Sequence, residues 1–242
     1  MKQCLAILII LYSGISIKGQ EATQDSLKIN LEIGLIGIWQ KGNLEQLSLM
    51  PNGQLKLRTN KWYSEISSSY NFLIIQGYSP INDFWFNGLY QHQNSKKIYP
   101  YFQSVNGFAK TYLIDGSSFN SIGLGINLIP NTPTKYFQFH LSTGYLYFKF
   151  YHESSHTALG FGTLIRAYFP ISDHLNLKWE LAGYYSSDDH TYGGGNNNLT
   201  LEMFVTKRIF VTLMHQFYYH NRDIDGVERY TSILQYGLKY KL

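Results

Sequence analysis

The chain has 242 residues, enough for one large domain or two small ones, and a formal net charge of +4, too weak for a nucleic-acid binder. Charged residues make up 15%, well below the ~25% of ordinary soluble domains, while aromatics reach 17%, with 21 glycines and 6 prolines. That composition argues against disorder, and the mean hydropathy of −0.20 against a bundle of membrane-spanning helices.

The first nineteen residues read as a secretory leader. Lys2 supplies the positive start, Leu5–Leu11 the apolar stretch, and Ser13, Gly14, Ser16 and Gly19 the small residues near a cleavage point. The apolar run is too short for a spanning helix, which needs ~20 residues. Cleavage is placed after Gly19, with Ser16 as the alternative, leaving 20–242 as one domain. Cys4, the only cysteine, precedes the apolar run, so the mature chain has no thiol for a disulfide, a nucleophile or a thiolate metal site.

Beyond the leader the dominant period is two. Leu27, Ile29, Leu31 and Ile33 alternate with Ser26, Lys28, Asn30 and Glu32, the pattern of a strand apolar on one face and polar on the other. Leu47, Leu49, Leu55 and Leu57 share one parity through Pro51-Asn52-Gly53, which resembles a turn but leaves the phase unbroken. The reading is therefore one long strand kinked at Pro51 and turning at Asn60-Lys61. Ile122, Leu124, Ile126 and Leu128 alternate with polar or small residues; Phe137, Phe139 and Leu141 alternate with Gln138, His140 and Ser142. Leu175, Leu177, Trp179 and Leu181 alternate with Asn176, Lys178 and Glu180, and Leu199, Leu201 and Met203 with Thr200 and Glu202. The chain closes with Leu234, Tyr236, Leu238, Tyr240 and Leu242 on one parity.

Twelve strands are predicted, over 26–39, 43–58, 62–76, 83–93, 98–112, 119–128, 136–151, 157–169, 175–185, 198–206, 209–219 and 229–242. Each has about the ~10 residues that a tilted strand needs to cross a bilayer. Short connectors follow even strands (Asn60-Lys61, Asn94–Lys97, Pro130–Lys135, Pro170–His174, Lys207-Arg208), and longer ones follow odd strands (Gly77–Asn82, Ser186–Asn197, His220–Glu228). Aromatics gather toward strand ends, as in the girdles of a membrane barrel. The fold class expected is all-β: a transmembrane antiparallel β-barrel of about twelve strands with no helical domain. A soluble sandwich or lipocalin-like barrel also alternates. The leader, the missing thiol, the low charge and a strand running to the last residue favour the membrane.

At Gly34-Leu35-Ile36-Gly37-Ile38-Trp39-Gln40-Lys41-Gly42-Asn43, at Leu57-Arg58-Thr59-Asn60-Lys61-Trp62, at Ser121–Gly125 and at Tyr236-Gly237-Leu238-Lys239-Tyr240 the chain resembles the domain-of-unknown-function family that includes the salt-induced outer-membrane proteins of Gram-negative bacteria. The resemblance spans nearly the whole mature chain through short motifs. It implies an outer-membrane barrel and no catalytic residues. One departure is Leu242, where such barrels usually end in an aromatic read by the assembly machinery.

With the apolar parity facing lipid, the opposite parity lines the lumen: Lys28, Glu32, Lys56, Arg58, Glu65, Arg166, Lys178, Glu180, Glu202 and Lys239, with Gly123, Gly125, Gly144, Gly160 and Gly162. Charges of both signs in a narrow space should pair, because an unpaired buried charge is costly. An ion-paired plug is the favoured reading, since barrels become wide pores only near 16 strands. A narrow channel with weak anion preference is the alternative. Three weaker signals carry possible chemistry. Glu180 and Glu202 could form an acid–base pair. His140-Leu141-Ser142 resembles the His-x-Ser of outer-membrane lipid hydrolases. Asn221–Gly226 matches the start of a calcium loop, whose twelfth position is Ser232 instead of Glu. His152 with His156, or Asp188-Asp189-His190, could hold a metal at a loop, though such clusters are usually solvated, and Asp188–Asn198 is read as a flexible loop.

The expectation is a non-catalytic barrel of the bacterial outer membrane, with both termini periplasmic, in contact with outer-membrane lipids and the barrel-assembly machinery. No nucleic acid, cofactor or metal is expected.

Overall fold

The computed structural model describes residues 26–40, 46–75, 78–132, 134–151, 153–222 and 229–242. The leader with Cys4, the Gly42-Asn43 turn, Gly77, His152 and Asp223–Gly226 lie outside the described residues. Twelve strands run in chain order: β1 (Lys28–Gln40), β2 (Gln46–Arg58), β3 (Trp62–Ile75), β4 (Tyr78–His92), β5 (Ile98–Ala109), β6 (Ile114–Asn127), β7 (Tyr136–Phe150), β8 (His156–Ser172), β9 (Leu175–Ser186), β10 (Gly193–Phe204), β11 (Ile209–His220) and β12 (Tyr230–Lys241). Each pairs antiparallel with its chain neighbours, and β12 returns to β1, so the sheet closes into a barrel without a free edge. The closing ladder sets Glu32 opposite Lys241 and Ile36 opposite Gly237, and the Leu242 amide donates to the Leu31 carbonyl at 2.9 Å. The start of β1 and the end of β12 therefore lie at one end of the barrel, called here the terminus end.

Alternation decides which way each side chain points, and the result is the inverse of a soluble barrel. Ile122 is 66% exposed and Leu234 60%, and Leu35, Leu141, Leu159, Met203 and Leu213 are exposed with them. On the other parity His140, Thr212, Ser121, Gln91 and Arg166 are buried. An apolar belt around a polar interior is the arrangement of a barrel surrounded by hydrocarbon, and monomeric soluble proteins do not carry contiguous apolar surface on this scale. The strands, from 12 residues in β5 to 17 in β8, exceed the ~9–11 needed to span.

Pro51 sits inside β2 as the unbroken phase implied. The ladder to β3 steps from Leu49 opposite Phe72 to Asn52 opposite Ser69 without a change of register, and Pro51 faces Leu35 on β1. Three strand starts differ from the sequence reading. β4 begins at Tyr78 instead of 83, β6 at Ile114 instead of 119, and β10 at Gly193 instead of 198. Residues 78–82 and 193–197, taken as parts of the long connectors Gly77–Asn82 and Ser186–Asn197, are thus strand. Gly194–Asn197 pair with Tyr184–Leu181 on one side and His220–Phe217 on the other. The expected contrast in loop lengths shrinks accordingly, with 187–192 after β9 against 93–97 after β4.

Glycine in these strands makes room for rings. A Cβ on Gly125 would lie 2.4 Å from the Tyr99 ring, and one on Gly162 2.7 Å from the Phe119 ring, so both rings lie against bare backbone. That packing corrects the assignment of the aromatic excess to membrane girdles. Phe86, Phe102, Tyr145, Tyr185 and Tyr236 do face outward, but Tyr99, Tyr101, Phe119, Phe148 and Phe150 are buried inside.

Candidate functional site: the barrel lumen

The charged residues form a layer in the half of the barrel nearer the termini. Arg166 of β8 donates from Nη2 to Glu65 Oε2 of β3 at 2.6 Å and from Nε to Glu180 Oε2 of β9 at 3.3 Å. β3 and β8 stand five places apart in a ring of twelve, so the Arg166–Glu65 pair is a strut across the lumen. Glu65 is held further by Gln54 Nε2 at 2.7 Å and by the Tyr63 hydroxyl, and the guanidinium lies 5.9 Å from the Tyr136 ring centre. Beside the strut, Lys56 pairs with Glu32 at 3.1 Å and Lys239 approaches Glu202 at 3.9 Å and the Phe210 ring at 5.9 Å. Lys178 stands in the fields of Glu65 and Glu180.

Two of the ten residues singled out from the sequence lie at the margin of this layer. Arg58 is half-buried at the end of β2. Lys28 is exposed at the first residue of β1, where its register partner is Arg58 and like charges side by side keep it in water. Lys28 keeps the parity of Glu32 and stands at the mouth of the barrel.

A neutral polar network sits between β4 and β7. His140 is fully buried; its Nδ1 donates to the Leu164 carbonyl at 3.1 Å, which leaves Nε2 to accept from the Tyr99 hydroxyl at 2.9 Å and the Gln91 amide at 3.1 Å. The Gln91 amide also donates to Gln138 at 3.2 Å, and Gln138 to Asn127 at 3.1 Å. Both ring nitrogens of His140 are thus taken, and neither is held by Ser142. Leu141 between them is 51% exposed, so the pair faces away from lipid. His140 and Ser142 do not form a nucleophile and its base.

Toward the far end the lumen opens into a chamber of about 220 Å³. Its floor is the Arg166, Glu65 and Glu180 layer. Trp85, Phe119, Phe148 and Tyr184 supply aromatic wall, and Asn87, Gln103, Asn198 and Gln216 supply amides. Phe148 stacks on Tyr184 at 5.7 Å and on Phe150 at 6.0 Å, a column that continues through Tyr192 to His156 and Arg222 at the rim. Among the described residues one helical turn occurs, the 3-10 turn Lys110–Tyr112 between β5 and β6, ended by Leu113 at φ 54°. It carries Tyr112 across the chamber to Tyr218 at 6.3 Å and His220 at 5.6 Å, both on β11 at the opposite side of the ring.

The remaining chemical candidates separate. Glu180 is opposite Asn198 and Glu202 opposite Asn176, four positions apart along the ladder and each beside its own cation, so they do not act as an acid–base pair. At the rim His156 stacks on Tyr192 at 3.8 Å and meets Asp188 at 3.3 Å. The Ser186 hydroxyl, by donating to Asp188, holds that carboxyl below its ordinary range, and Thr191 does the same for Asp189. Among the described residues no group of three or more His, Cys, Asp or Glu could hold a metal.

Sequence reasoning missed the aromatic chamber. Its signal was parity: Tyr99 and Tyr101 share theirs with Gln103, and Phe148 and Phe150 share theirs with His140 and Ser142.

No protein-family model matches the chain, and no curated protein does. Among solved structures it is similar to the NanC porin, at 11% identity and a TM-score of 0.49 over 88% of this chain and 98% of that one. It is also similar to an outer membrane channel from Pseudomonas putida F1 (10%, 0.46, over 93% and 99%) and to an anion-selective porin from Comamonas acidovorans (10%, 0.43, over 90% and 100%). These overlaps are too loose to carry an argument about what the lumen does.

Proposed function

We propose that the protein is an outer-membrane β-barrel of a Gram-negative envelope, inserted after removal of the leader, with both termini periplasmic and a non-catalytic role. The apolar exterior supports the address, and an even number of strands puts both ends on one side. The resemblance of its turn and closing motifs to the salt-induced outer-membrane proteins fits the same setting. Its partners are the surrounding lipids and the barrel-assembly machinery.

The observation that supports a closed reading of the lumen is the Arg166 strut, which ties opposite walls. Current across planar bilayers tests it. The wild type is expected to be silent at moderate voltage, and Arg166→Ala with Glu65→Ala to conduct. Steady single-channel current from the wild type would overturn the closed reading and establish the narrow channel, which the chamber above the floor favours as the second reading. The occupied ring of His140 speaks against a lipid hydrolase.

A further inference from the structure

We propose that the lumenal chamber is a binding site for one neutral sugar ring, a pyranose held between aromatic faces and amides. The inference goes beyond the envelope role and uses the charged layer only as a floor.

Four observations point the same way. First, the chamber, at about 220 Å³, is smaller than the ~300–1,000 Å³ of drug-sized sites, so it suits one ring and its substituents. Second, its lining is divided in kind. Trp85 and Tyr184 supply rings, whose negative quadrupole attracts the C–H face of a saturated ring, while Asn87, Asn198 and Gln216 are amides that both donate and accept. A pyranose has that division, an apolar C–H face within a rim of hydroxyls. Third, Asn198 lines the chamber directly beside Glu180 in the ladder, so an amide and a carboxylate stand side by side to meet two hydroxyls of one ring. Fourth, the charges at the floor are already matched, Arg166 to Glu65 and to Glu180. An ionic ligand would have to break that match, whereas a hydroxyl can donate to the outer lone pairs of Glu180 and leave it intact. A plain aromatic ligand would meet the rings but offer the amides no hydrogen bond.

The test is binding to the folded barrel in a phosphocholine detergent, since sugar-headed detergents would compete. Methyl β-D-glucopyranoside and its galacto and manno epimers are the probes, with phenol as the aromatic control, read by saturation-transfer NMR on the probe and by Trp85 emission. Saturable binding of at least one pyranoside is expected. Asn198→Leu should weaken it about tenfold or more, Tyr184→Leu should abolish it, and Tyr184→Phe, which keeps the ring, should retain it. Heat-modifiable gel mobility checks that each variant is folded. No saturable binding of any pyranoside, binding of phenol alone, or unchanged affinity in Asn198→Leu would each overturn the proposal. Because this readout is binding and the closed floor is read by current, either can fail without the other.

Discussion

Removing the cation from the strut should destabilise the barrel far more than removing a surface charge. Arg166 is 3% exposed and Glu65 9%, so Arg166→Met leaves a carboxylate facing the interior with only Gln54 and Tyr63 as donors. Breaking a buried pair on one side costs about 3–5 kcal/mol. Glu180, 29% exposed, can be hydrated and adds no more than the ~1 kcal/mol of a solvated pair. Glu65→Gln alone should cost less, because Arg166 keeps Glu180. The double variant Arg166→Met with Glu65→Gln should cost about 1–3 kcal/mol less than the two single changes summed, the coupling of contacting residues. Reversible urea unfolding in lipid vesicles, followed by tryptophan emission and gel mobility, measures all four proteins. If Arg166→Met lies within about 1 kcal/mol of the wild type, or if the two changes simply add, Glu65 is solvated and the lumen is a water-filled pore.

Two further outcomes follow from the packing and from the rim. Gly125→Val should destabilise by about 1–3 kcal/mol through overpacking against the Tyr99 ring, and Tyr99→Ala in the same chain should recover part of it; a neutral Gly125→Val in urea unfolding would show that the ring is not held there. Asp188 and Asp189 have carboxyls lowered by the hydroxyls of Ser186 and Thr191, so the order they give the β9–β10 connector is present above the unfolded value near ~3.9 and lost only as pH falls through the lower folded values. The Thr191 amide resonance should stay in place down to about pH 4 and move below it; movement centred near pH 6 would contradict the assignment.

The exterior was legible because a period of two cannot be satisfied in both directions. Once Leu234, Tyr236 and Leu238 face lipid, Gln235, Gly237 and Lys239 must face in, and the same logic carried β2 straight through Pro51. The upper ends of β4, β6 and β10 were not legible, because Gly193–Asn197 and Gly116–Ser118 have the composition of loops. In this barrel those small residues are strand, set opposite bulky rings such as Tyr184 and Tyr147. Many charged residues of the interior could be read off by parity, though not Asp83 at the foot of the predicted fourth strand, and not who pairs with whom. Glu65 and Arg166 are 101 positions apart, and only closure of the ring sets β3 against β8.

Closure also divides the lumen along its axis in a way that parity alone does not reveal. The terminus half holds the paired charges together with the Tyr99, His140 and Gln91 network, and the far half holds the buried Phe148, Phe150 and Ile114 with the buried acid Asp83. Charge is present in both halves: Arg222 with Glu153 and His156 with Asp188 stand at the far rim, ahead of the aromatic faces, and the strut stands behind them.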